Sequence, residues 1–480
     1  MTDMDYQAWL ANLSAPRVVL CELDYAGGTE YVGSFPYIAL PTDSDPNRVY
    51  DDLLTEAVDI ETRIDGLISF GEISLIDDGT ITHWVNRAWQ GHEIRLYLGG
   101  PDWSRDDFRL HARGINGGIS SARRGELVFE MIDQSAKLDE PIDTGALPDD
   151  AGPVPLALGK VYNAPAYRSD SQTLTYTASF LPVTALTPKD IGNTVPHTED
   201  LAGGTFTLEN ATQADLTVDI EEQHNTPAQV VQWVASEYGL TVGEVSLPAY
   251  SVGLYYNAET SGREILDDLC RGLGAYWYLD ALGELVVRQH LIPTVADVSI
   301  TVDDIVRGEI GMTATEQPWQ SLTLRWGRNY APLRQVAGVV EDDTPTEAAR
   351  LKREWSESEA EQDVSDHPLA EDVTRNSCIS NATDAATERD RLLALRTVRS
   401  DTWEIEAFMP PVEVGQAIEI LHPRIEGLIG RITAVSRSPT RATTTLEVWF
   451  PAPWVPGQLT DAVDALHLTV NQTLPTMFEV

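Results

Sequence analysis

Positive charge and sulfur are the scarce ingredients of this chain. Its 480 residues carry 33 lysines and arginines against 75 aspartates and glutamates, a formal charge of −42, and only Lys137, Lys160, Lys189 and Lys352 are lysines. So acidic a chain repels phosphate backbones and anionic lipid heads alike, and no specific nucleic-acid binding is expected. Two explanations of the lysine shortage stay open: the arginine bias of a GC-rich genome, or an acidic surface adapted to a salt-rich habitat. The three cysteines, Cys21, Cys270 and Cys378, are odd in number and far apart. They are expected as reduced core thiols, not as a disulfide framework. No run of about 18 apolar residues exists for a membrane span, and the opening MTDMDYQAWL has two aspartates where a secretory signal is basic, so neither a span nor a signal is expected.

Signatures of chemistry are also missing. No CxxC pair, no histidine pair one helical turn apart, no phosphate-cradling glycine loop with its lysine and no GxSxG elbow occurs. The run Asp43-Ser44-Asp45-Pro46-Asn47 begins like a calcium loop, but Arg48 stands at the sharp-turn glycine and Leu54 at the bidentate glutamate. An iron–sulfur cluster needs four thiolates where the chain has three. The nine histidines are scattered singly, and 75 acids make any carboxylate pair uninformative. No catalytic residue, no cofactor and no metal ligand is therefore assigned.

What is present is best read from residues 255–289, where a capped helix runs into a tight hairpin loaded with aromatics. Thr260 or Ser261 is the cap, and Ile265, Leu266, Leu269 and Leu273 recur at the spacing that buries one helical face. Gly274 stops the helix, 275–280 is β-rich, Ala281, Leu282 and Gly283 supply a turn, and 284–288 returns. The unit looks like a docking module. A second helix start is equally clear at Thr226-Pro227, with Val230, Val231, Val234 and Tyr238 as its stripe and Gly239 at its end.

At roughly 150 residues per domain, the length predicts three or four domains. The expected divisions are 1–145, a β-barrel-like region with a short helix at 6–13 and helical spacing from Ile81 to Trp89; 146–222, small and β-rich; and 223–302, the α+β helix–hairpin region. They continue with 303–384, strand and acidic connection; 385–450, a helix and β-barrel segment; and 451–480, a tail. The fold class expected is α+β, mainly β, with two β-barrel-like domains and small α+β insertions. Residues 341–390 hold fifteen acids against five bases, including Glu354, Glu357 and Glu359, and are expected as a solvated, partly helical connection. Of the twelve tryptophans, Trp103, Trp319, Trp355 and Trp454 fall near loops or charges, where an aromatic can anchor a subunit contact or a sugar.

Three segments carry a resemblance. GREILDDLCRGLGAYWYLDALGELVVR at 262–288, the helix-then-strands ending at 385–450 and PLALGKVYNAPAY at 155–167 are together similar to the baseplate or tail-tip hub proteins of tailed bacteriophages. That resemblance implies a virion structural protein without enzymatic activity, assembled in the host cytoplasm as a homotrimer. Its two barrels per subunit would match the tail tube with pseudo-sixfold symmetry. The implied partners are a distal tail protein or the tail tube, a central fibre or spike and the tape-measure protein, with DNA passing during ejection along a lumen that part of the negative charge would line. Lysozyme domains and iron–sulfur clusters of some relatives have no counterpart here. Two other classes stay open: a receptor- or glycan-binding virion surface protein using the loop tryptophans, and a cell-wall hydrolase using an acidic pair.

Overall fold

In the computed structural model, all residues are described except 1, 13, 56–59, 65–67, 170–171, 213–215, 281–282, 409, 411, 426–427, 439–442 and 452–480. Leu13, Val58, two residues of the expected 281–283 turn, Met409, Trp454, His467 and nearly all of the tail lie outside the described residues. The protein is mainly β, with two curled half-barrel sheets and a few small helices, as the sequence pattern implied.

The first curled sheet has eight strands, all drawn from the first 132 residues. Its strand Val18–Tyr25 begins apolar on both faces, because both are covered there, and ends with Glu22 and Asp24 paired to Arg95. Val19, Cys21 and Leu23 point into a core with Ile94, Leu96, Trp89 and Phe129, while Val18 and Leu20 join Tyr37, Tyr50 and Phe108 on the other side. One local expectation fails here, and one long strand goes unannounced. The helical spacing from Ile81 to Trp89 yields only a 3₁₀ turn, Thr82–Asn86; Ile81, Trp84 and Trp89 are buried, but Val85 and Ala88 of the same spacing are exposed. The fifteen-residue strand Arg109–Arg123 is not announced by any alternation in the sequence. Three glycines, Gly114, Gly117 and Gly118, interrupt its pattern, and they stand where a Cβ would meet Met131, Ile132 or Gln90.

The second curled sheet collects its strands from distant parts of the chain: Val298–Thr301, Ile305–Glu316, Ser400–Ala407, Ala417–Leu421, Ile429–Ser438 and Thr443–Phe450. Its remaining two strands come from the first region. A hairpin of Ile60–Arg63 and Ile68–Phe70 reaches across and pairs with Ile429–Ser438, Ile60 opposite Arg437 and Arg63 opposite Ala434. Along this one arm Ile60, 4 % exposed, belongs to the first core, whereas Ile64 packs on the second. The two curled sheets are therefore stitched together by backbone hydrogen bonds as well as by side chains.

The intervening chain builds the smaller layers. A five-stranded sheet around Leu156–Pro165 and a four-stranded sheet around Thr205–Leu208 share one core. The helices Pro227–Glu237 and Gly262–Gly272 form as their cap residues and apolar stripes predict, with Gly239 at φ +62° ending the first. The acidic stretch is helical at Gly338–Asp343 and Pro345–Leu351 and again from Ala382, but its most acidic run is a strand. Residues Ser356–Glu361 form an edge strand on Trp319–Trp326, with Glu371–Asn376 on the other side. Glu357, Glu359 and Glu361 alternate outward and are exposed, so the period of two lets the strand dock on Leu322 and Leu324 without burying a charge. All three cysteines are buried and free.

Candidate functional site

The helix–hairpin segment is where most of the molecule converges. Its helix starts by a local device: the Ser261 hydroxyl accepts the Glu264 N–H, and the Glu264 carboxylate accepts the Ser261 N–H in return. That settles the cap as Ser261, while the Thr260 hydroxyl donates to the same carboxylate at 3.0 Å. The helix buries Ile265, Leu266 and Leu269, and its end is closed by Gly274 at φ +49°, where a Cβ would collide with the Leu392 side chain.

The strand Ala275–Leu279 then places its aromatics on two faces. Trp277 and Leu279 turn toward the helix, in the core that also holds Leu322, Leu324 and Leu392, and Trp277 Nε1 donates to Asp267 at 2.8 Å. Tyr276 and Tyr278 turn the other way, into the second curled sheet with Ile418 and Leu446, and the Tyr278 hydroxyl donates to the Val414 carbonyl at 3.1 Å. Gly415, at φ +83°, lets that loop approach, since a Cβ there would stand 2.6 Å from the Tyr276 hydroxyl. Docking is thus what this unit does, but its aromatics dock inside the chain. Tyr276, Trp277 and Tyr278 are at most 4 % exposed and present no aromatic face to a partner.

A buried ion pair closes the junction. Glu388, on the helix Ala382–Leu395, is fully buried and accepts Arg391 Nε at 2.9 Å and Gln289 Nε2 at 2.9 Å. Arg391 also donates to the Leu273 carbonyl at 3.1 Å and to the His290 carbonyl, so one guanidinium caps the end of the docking helix and ties it to the hairpin. Burial pushes the Glu388 carboxyl above its usual range, with Arg391 opposing.

A cleft of about 580 Å³ beside the helix Gly262–Gly272 is lined by Tyr256, Tyr330, Trp355, Glu264, Asp267 and Asp268 among others. Its carboxylates already have partners: Glu264 caps the helix, Asp267 holds Trp277, and Asp268 accepts the Tyr256 hydroxyl at 3.1 Å and pairs with Arg271 at 3.1 Å. The cleft lining includes no histidine among the described residues, and burial pushes its Cys378 thiol up to about 12, far from the thiolate that nucleophilic chemistry requires. The lining suits polar recognition by aromatic stacking and hydrogen bonding.

Other expected positions resolve separately. Trp103 packs 4.5 Å from Trp9 in an aromatic group with Tyr6 and Phe108, and Trp319 is buried beneath Arg375, so neither is a free sugar platform; of the described loop tryptophans, Trp355 alone lines this cleft. Asp43, the head of the calcium-like run, instead accepts from the Leu40 N–H at 2.6 Å and the Arg105 N–H at 3.0 Å, which locks its own loop. His224 lies 2.7 Å from the buried Glu222, whose other oxygen accepts the Gly159 N–H. Among the described residues no group of three or more His, Cys, Asp or Glu is placed to hold a metal, and no helix is long and apolar enough to cross a membrane. On the edge of the first sheet, Phe35, Ile38, Leu40 and Val49 are exposed together around the short pair Tyr37–Ile38 and Val49–Asp52. Sequence reasoning missed this patch because single apolar residues in loop-like sequence carry no period.

No protein-family model and no curated protein matches the chain. Among solved structures it is similar to the 43 kDa tail protein of prophage MuSo2 from Shewanella oneidensis, at 11 % identity and a TM-score of 0.44, covering 91 % of this chain and 98 % of that one. A tail protein from Neisseria meningitidis MC58 is similar at 9 % identity and TM-score 0.44, covering 91 % and 96 %. A chain in the virion of a native gene transfer agent is similar at 12 % identity and TM-score 0.44, covering 65 % and 88 %.

Proposed function

We propose that this chain is a structural hub of a phage tail tip or baseplate, closing with copies of itself into a ring that joins the tail tube to a central fibre or spike and lets DNA pass. The observation that carries this reading is the pair of curled sheets held in fixed relation by the Ile60–Arg63 arm and the buried hairpin. A subunit that repeats around an axis needs such rigidity, because any looseness between its two sheets would spoil closure. The exposed apolar edge at Ile38 and Val49 supports assembly, since unpaired strand edges and apolar patches are where chains associate. Homotrimeric stoichiometry, the tube, fibre and tape-measure partners, the acidic lumen and the six-part division of the chain given above belong to the same proposal.

The test is the mass of the native assembly together with averaged images of isolated particles. Three copies in a ring with six similar lobes is the expected result; a monomer that occurs in no particle refutes it. A second function is favoured by one feature, the cleft of Tyr256, Tyr330 and Trp355 beside three carboxylates, which suits a glycan. Saturable glycan binding by the full chain, lost in Trp355→Ala, would support that surface role; clearing of purified cell wall would instead point to a hydrolase.

A further inference from the structure

In a chain with 75 acids and 33 bases, one cleft reverses the sign. It encloses about 290 Å³ where the arm, the second sheet, the helix Ala382–Leu395 and the Trp319–Trp326 sheet meet, and its charged lining is Arg63, Arg375, Arg396 and Arg431 against Glu316 and Glu447. Two of these cations are neutralised within the chain: Arg63 pairs with Glu447 at 3.2 Å and Arg396 pairs with Glu316. The other two form no ion pair among the described residues. Arg431 donates to the carbonyls of Gly415, at 2.6 Å, and Leu291, at 3.1 Å, and its Nε is buried without a partner. The Arg375 guanidinium is half-buried and lies 4.8 Å from the Trp319 ring centroid. It feels Glu316 from a distance, but that carboxylate is held by Arg396.

A guanidinium stacked on an indole is held by cation–π attraction, and that alone accounts for one arginine beside Trp319. It does not account for two, because Arg396 lies 5.5 Å from the same ring and repels Arg375. Burial first, and then Arg431, Arg391, Arg396 and Arg375, push the nearby His290 down to about 4, which reports the same positive field from a separate group. Two guanidiniums are thus left without a carboxylate among the described residues, and the cleft has cationic donors to spare.

We propose that this cleft is a receptor for a carboxylate side chain on an apolar stem, presented by the acidic surface of a neighbouring protein subunit, with Arg375 and Arg431 as the groups that receive it. Forked guanidinium donors match carboxylate oxygens, and Leu392, Leu395 and Ile64 line the walls that the stem would meet. At about 30 Å³ per water the space holds roughly ten waters, room for a side chain and not for a nucleic-acid duplex. The flanking Glu316 and Glu447 penalise a dianion more than a monoanion, which favours carboxylate over phosphate. Only the identity of the donor rests on the assembly role proposed above; the cleft itself belongs to the single chain.

The test titrates the full chain with N-acetyl-leucyl-glutamate amide, and separately with inorganic phosphate, at constant ionic strength. Saturable binding of the peptide is expected, weakened by about tenfold or more in Arg375→Gln, in keeping with loss of a charge-assisted bond. Arg328→Gln, which removes an arginine stacked on Tyr330 and Trp355 outside this cleft, should bind as the native chain does. Arg375→Lys keeps the charge but not the fork, and should fold normally and bind more weakly. No saturation, equal binding in Arg375→Gln and the native chain, or preference for phosphate would each overturn the proposal. Because the titration reads one chain, its failure is distinguishable from a failure to form rings.

Discussion

The two curled sheets differ in how they are made. The first takes all eight strands from a single stretch, 18–132, and covers both faces of its central strand with residues from the same region. The second takes strands from 60–70, 298–316 and 400–450, and part of its core wall, Tyr276, Tyr278 and Val286, comes from the inserted hairpin. Pairings so far apart in sequence must close long loops before any contact repays the entropy, so the second sheet is expected to form later and to depend on the first.

Four measurements test that contrast, in decreasing order of effect. Glu388→Ala strands Arg391 in the junction that orients the hairpin, and should cost about 4 kcal/mol by urea denaturation, as removal of one partner of a buried pair does. Amide exchange should show the loss in the second sheet before the first; equal loss in both would contradict the dependence argued here. Tyr278→Ala empties a site in the second core alone and should cost about 3 kcal/mol, while Tyr278→Phe, losing only the bond to the Val414 carbonyl, should cost about 1 kcal/mol.

Ile60→Ala, at the root of the arm, should cost about 2 kcal/mol and loosen both sheets together. A change confined to the first sheet would mean that the arm is not a stitch. The smallest effect concerns pH. His111, on the first sheet, is pushed down to about 3 by burial and then by Arg437 of the second, and its Nε2 is buried without a partner. A histidine whose folded pKa lies below its unfolded value of 6.5 contributes stability above pH 6.5, lost progressively as pH falls toward about 3. His111→Gln should therefore flatten the decline of melting temperature between about pH 6.5 and 5, a window above the ordinary carboxylate range; an unchanged slope would remove His111 from the seam.

Much of the local structure was legible. The helices at Pro227–Glu237 and Gly262–Gly272 announce themselves by capping hydroxyls, a first-turn proline and apolar stripes, and the strands Ala417–Leu421 and Thr443–Phe450 by β-rich composition. The acidic strand Ser356–Glu361 was misread because serine and glutamate carry weak β preference, and what makes it a strand is the waiting edge of Trp319–Trp326. The arginine cleft was invisible for a different reason: Arg63, Arg375, Arg396 and Arg431 stand far apart in the chain, and no spacing rule joins them.

Reading along the chain was enough for the local elements, the buried thiols and the acidic surface, because capping, hydrophobic period and net charge act over a few residues or over none in particular. Three outcomes came from folding alone: the aromatic hairpin faces inward, the arm crosses between sheets, and four arginines share one space. Each depends on which distant surfaces meet, and side chains far apart in the chain acquire their chemistry only from the neighbours that folding brings to them.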